Sequence, residues 1–180
     1  MLRGWALKRR QRIEAARKKN DMNNILRRIT NNDIQNGTFD IPEGVTKIWN
    51  WTFEGCKSLS SIILPKSVVK IGEGAFYGCS SLTNIILPES VTEIGIGTFD
   101  ECSSLTNITI PEGITEIKDY TFYGCTSLKK IIIPESVTKI GNWAFYGCAS
   151  LKKVSLSKKV KLGHGVFHRC PADLEIEYRD

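Results

Sequence analysis

Six cysteines stand at positions 56, 79, 102, 125, 148 and 170, five of them spaced by 23 residues and the last by 22. Cysteine can form disulfides, bind zinc or act as a nucleophile, and the spacing decides among these. Residues that recur with a repeat fall in one column, about 4.8 Å apart along a stack of strands. That Cα separation is within the disulfide range, but parallel Cβ vectors hold the Cβ atoms slightly too far apart. A straight row of sulfurs cannot wrap a tetrahedral metal, and no C-x-x-C is present. The pattern therefore predicts six buried thiols acting as small hydrophobes. His164 and His168 lie four apart near Cys170. They could ligate a metal, but their place in a degenerate last unit favours ordinary surface residues. The recurrent Cys-Ser-Ser-Leu stretches read as turns. The chain has no G-x-S-x-G, P-loop, H-E-x-x-H or G-x-G-x-x-G followed by a helix. No catalytic residue, cofactor or metal site is expected, and the chain reads as a non-enzyme.

The elements that position these residues come from an internal repeat. Proline stands at 42, 65, 88, 111 and 134, and phenylalanine at 53, 76, 99, 122, 145 and 167. Leucine stands at 59, 82, 105, 128, 151 and 174. Five full units cover 42–156, and a sixth ends the array with Ser157 in the proline position and one residue fewer. Within a unit, Leu82, Ile85 and Leu87 point one way and Asn84 and Ile86 the other, the period of a strand. Pro88 ends that strand because it has no N–H for the ladder. Val91 and Ile94 form a second inward pair, and Phe99 fills the middle of the cross-section. Glycines such as Gly72 and Gly78 fall where a compact coil must turn. One unit buries almost nothing alone; stacked units share a core and parallel, in-register strands.

The order P-x-[SG]-V-T-x-I-x-x-x-x-F-x-G-C-x-S-L-x-x-I-x-[IL] resembles the BspA-type, or Treponema-type, leucine-rich repeat over residues 38–178. The resemblance implies an α/β-type repeat solenoid, right-handed, with a parallel sheet on its concave face. It also implies adhesion or protein binding, often at microbial surfaces, and carries no catalytic residues. The chain departs from that pattern at its N-terminus, where no apolar stretch follows the positive charge to make a secretory signal. An intracellular location is expected on that ground, with mitochondrial and cell-surface locations left open.

Charge divides the chain. Net charge is +6. Residues 1–30 carry ten basic and two acidic side chains, whereas the remaining 150 carry 15 and 17. Residues 1–20 read as a basic arm, with Arg3, Lys8, Arg9, Arg10, Arg12, Arg17, Lys18 and Lys19 as candidate polyanion contacts, RNA foremost. Residues 21–37 read as a capping helix and linker: Asp21 is a candidate N-cap, and Met22, Ile25, Leu26 and Ile29 recur at helical spacing. Residues 38–180 form the solenoid.

Two outward columns on the expected concave sheet are candidate partner contacts. One contains Asn84, Asn107, Lys130 and Lys153; the other contains Ile63, Ile86, Thr109 and Ile132. Contiguous exposed apolar residues mark contact sites, although β-branched residues also suit exposed strands. Aromatics beside the phenylalanine column (Trp51, Tyr77, Tyr120, Tyr123, Trp143, Tyr146) read as cover for the flank or as a second contact surface. The sequence thus predicts a macromolecule-binding module with a protein partner. The alternative is a ribonucleoprotein component anchored by the arm.

Overall fold

The structure is a computed structural model that describes residues 24–180. Each full unit except that at 88–110 lays down two short parallel strands on different sides of a flattened coil. The first set forms the principal sheet. Its strands are β2 (Thr38–Asp40), β4 (Ser61–Ile63), β6 (Asn84–Ile86), β9 (Lys130–Ile132), β11 (Lys153–Ser157) and β13 (Glu175–Arg179). The second set holds two-residue strands: β1 (Ile25–Leu26), β3 (Lys47–Ile48), β5 (Lys70–Ile71), β7 (Glu93–Ile94), β8 (Glu116–Ile117), β10 (Lys139–Ile140) and β12 (Lys161–Leu162). Register follows the repeat: Ile62 pairs with Ile85, Ile48 with Ile71 and Ile71 with Ile94. The expected parallel solenoid is present. The expected α component is not, since the described residues hold no α-helix, only a 3-10 turn at Asn31–Asp33.

The capping helix expected over 21–29 is corrected at the same point. Ile25 and Leu26 form a strand paired with Lys47 and Ile48. Asn24 has φ +56°, outside the right-handed helical region. The helix-like spacing has another origin. Leu26 takes the inward place of Ile48 in the unit below it, and Ile29 takes the place of phenylalanine. The Cys56 thiol meets the Ile29 carbonyl as the Cys79 thiol meets that of Phe53. Ile29 follows Leu26 by three positions, where Phe53 follows Ile48 by five, and that shortening mimics a helical period. The covering role remains, because Leu26 and Ile29 are buried against the first unit.

The core is one continuous cluster running the length of the stack. Phe53, Phe76, Phe99, Phe122 and Phe145 are fully buried, with successive ring centroids 5.0–5.6 Å apart and nearly parallel planes. On this turn side, backbone amides of each unit donate to carbonyls of the next: Phe53 to Ala75, Phe76 to Thr98, Phe99 to Thr121 and Phe122 to Ala144.

The strand sides are less regular. The principal sheet is two three-stranded pieces, β2-β4-β6 and β13-β11-β9, and the second set also divides, between β7 and β8. Between them the unit at 88–110 makes a single bridge, Asn84 to Asn107. A serine bond disappears at the same joint. Ser67, Ser90 and Ser136 each donate to a carbonyl one unit back, whereas the corresponding residue facing Val91 is Gly113.

Candidate functional site

The cysteines form a ladder. The thiols of Cys79, Cys102, Cys125, Cys148 and Cys170 donate to the carbonyls of Phe53, Phe76, Phe99, Phe122 and Phe145, at 3.1–3.2 Å. Five of the six are buried and Cys170 is half-buried, and all are free thiols. Burial pushes the Cys56 thiol up to about 11 and the deeper ones further, so none of these buried groups supplies a thiolate nucleophile. Repeat spacing pointed to a buried column; it did not reveal that these side chains also act as hydrogen-bond donors.

His164 and His168 pack edge-on to Trp143, at 4.9 and 6.0 Å, and His168 stacks on Tyr146. No cluster of potential metal ligands occurs among the described residues. The flank aromatics form a strip in which Tyr123 stacks on Tyr146 at 4.6 Å and the Arg169 guanidinium lies over Tyr146. Trp51, Tyr120 and Trp143 have φ near +58°, in a column that holds Gly74, Gly97 and Gly165 in other units. Gly74 shows why: a Cβ there would lie 2.0 Å from the Trp51 ring, which fills the space the glycine leaves. The strip therefore covers the flank by interlocking units.

Asp100 interrupts this strip, standing where Tyr77, Tyr123 and Tyr146 stand in other units. One of its carboxylate oxygens is buried without a partner. Burial, with Glu101 beside it, pushes the carboxyl up to about 7.

The principal sheet presents the expected outward columns. Ile63, Ile86 and Ile132 are 73%, 62% and 62% exposed. Asn84, Asn107, Thr109, Lys130 and Lys153 are also exposed. The columns are not unbroken. Ser155, in the isoleucine column, is buried between its register partners Ile132 and Glu177. Thr109 stands at the joint, so Ile63 and Ile86 form one apolar group and Ile132 another. Clefts flank both: one of about 450 Å³ beside Ile63, Pro65 and Glu43, and one of about 330 Å³ beside Ile132, Pro134 and Glu112. Lys153 is paired with Glu175 and Glu177 on β13, so it is not a free cation. The candidate polyanion contacts Arg3, Lys8, Arg9, Arg10, Arg12, Arg17, Lys18 and Lys19 lie outside the described residues.

The described residues thus set exposed isoleucines beside open clefts, on a stack whose column thiols are buried from Cys56 to Cys148. Residues 23–116 and 93–178 match the BspA type leucine-rich repeat region, in six copies. The chain belongs to that family of leucine-rich-repeat proteins. It is similar to a Treponema pallidum leucine-rich-repeat protein of known structure, with 30% identity and a TM-score of 0.69 over 83% of this chain and 84% of that one. A leucine-rich cell surface protein from Faecalibacterium prausnitzii is 28% identical, with a TM-score of 0.66 over 86% of this chain and 52% of that one. A leucine-rich-repeat protein from Eubacterium ventriosum, 22% identical, shares the fold with a TM-score of 0.71 over 86% of this chain and 50% of that one. The chain thus spans about half the length of these last two. No curated protein matches the chain significantly. None of these comparisons supports the nucleic-acid alternative.

Proposed function

We propose that this protein is a non-enzymatic binding module whose principal sheet, the face expected to be concave, receives a protein partner. The observation that carries this reading is the exposure of Ile63 and Ile86, 73% and 62%, side by side in register on a parallel sheet. Strand propensity favours isoleucine there, yet the neighbouring places in the same column hold aspartate, threonine and serine, so the strand does not require it. Burying two such side chains supplies the apolar centre of an interface, and the polar columns beside them form its rim. Membership in a repeat family built to display columns of side chains supports the same face.

Site-specific photo-cross-linking tests this. A photoreactive amino acid at Ile86 should yield one dominant protein adduct in a native extract, and the same group at Tyr77, on the flank, should not. The Ile86 adduct should disappear when Ile63→Asp is introduced. Equal adducts from both positions would remove the principal sheet from the interface.

A further inference from the structure

Arg179, the penultimate residue, ties its strand to a unit two places back. From β13 its guanidinium reaches back across two units, donating to the carbonyl of Ile133, and it pairs with Glu135 at 3.2 Å. Carbonyl and carboxylate together form a seat. The carbonyl belongs to the residue that follows strand β9, and the carboxylate lies two residues on, just past the proline.

The repeat reproduces that seat elsewhere. Leu87 with Glu89 and Ile110 with Glu112 stand in the same relation, across Pro88 and Pro111. Neither carbonyl accepts a hydrogen bond from any described residue, and neither Glu89 nor Glu112 has an ion-pair partner among them. Both glutamates are exposed. Ile110, Glu112 and Arg179 line one cleft of about 330 Å³, so the filled seat and an open one face the same space. At the unit between 65 and 87 the rim residue is Lys66, which would repel a cation, so the open seats adjacent to each other are those at Glu89 and Glu112.

We propose that these two seats bind arginine side chains of a partner protein, one unit apart along the rim of the principal sheet. The inference rests on the reading of that sheet as the partner face and adds the chemistry of the partner: a segment with two arginines beside apolar residues that cover Ile63 and Ile86. Charge complementarity selects a cation. Arginine is the cation seen in such a seat, where its Nη2 alone meets both the Ile133 carbonyl and the Glu135 carboxylate, and a guanidinium is more weakly hydrated than an ammonium and so enters an interface at less cost. Arg179 shows that a guanidinium fits.

The test uses the full chain and a labelled twelve-residue peptide alternating arginine and valine. Matched peptides carry lysine or citrulline in place of arginine, and binding is read by fluorescence anisotropy. The arginine peptide should bind best, the lysine peptide more weakly and the citrulline peptide least. Glu89→Gln with Glu112→Gln should weaken arginine-peptide binding by roughly tenfold or more. Glu101→Gln, on the turn side, should leave binding unchanged. Arg179→Ala should free the seat at Ile133 and Glu135 and tighten binding. If the double glutamine variant binds as the parent does while Ile63→Asp with Ile86→Asp abolishes binding, the arginine seats are wrong and the face stands. If neither double variant affects binding, both fail. Self-association of the full chain that Glu112→Gln abolishes would assign the seats to a second copy and overturn the proposal.

Discussion

The turn side and the strand side of this solenoid obey the same repeat with different strictness. On the turn side each of the five full units keeps a buried ring and amides bonded to the next unit, and from Cys79 onward each thiol is bonded to the carbonyl of the ring residue before it. On the strand side the ladders break between the units at 88–110 and 111–133, although Phe99 and Phe122 stay stacked there at 5.5 Å. The stack is therefore held through its turns, and its sheet face can vary without dissolving it. A binding surface needs that division, because the residues that contact a partner are then not those that hold the units together.

The largest expected effect comes from cutting the turn side at the joint. Phe99→Ala removes a fully buried ring where the strands give least support, and should cost about 3–5 kcal/mol in chemical denaturation. A loss below about 1 kcal/mol would mean that the ring column does not hold the stack together. Cys102→Ala removes a small buried side chain and its bond to the Phe76 carbonyl. That carbonyl keeps the Cys79 amide, so the cost should be smaller, about 1–2 kcal/mol in the same measurement.

Asp100 sharpens the comparison through pH. Its folded-state pKa of about 7 lies above the ordinary 3.8, so folding favours the protonated acid. The stability this group contributes is complete below about pH 4 and is lost as pH rises through about 7. Asp100→Asn should therefore raise the melting temperature at about pH 8 and change it little below pH 4. A gain equal at both values would assign the effect to something other than ionisation. On the strand side, Ile86→Ser should alter stability by no more than about 0.5 kcal/mol, because the side chain is mostly in solvent. A loss comparable to that of Phe99→Ala would show that the two sides are not divided as described.

Much of this was legible in the sequence. A period of 23 with proline, phenylalanine, cysteine and leucine in fixed columns gave the stack, the inward faces and the outward isoleucines, because each column has one physical requirement. Three features were hidden. The segment at 24–29 looked helical because a shortened turn brings Leu26 and Ile29 to helical spacing, and spacing alone cannot distinguish the two. The seat of Arg179 joins residues 46 apart, so no local pattern contains it. The broken ladder at 107–110 leaves no mark on Asn107, Ile108 and Thr109, whose residue types suit a paired strand; Gly113 in place of serine is the nearest signal.

Amide hydrogen exchange on the native chain tests the division of labour most directly. The turn-side amides of Gly97, Phe99 and Glu101, which donate to the following unit, should be as protected as those of Phe53 and Gly55. The amides of Thr109 and Ile110, on the unpaired stretch of the principal sheet, should exchange orders of magnitude faster, through local opening and not global unfolding. Equal protection of the two sets, or faster exchange at Phe99 than at Ile110, would contradict a stack held through its turns.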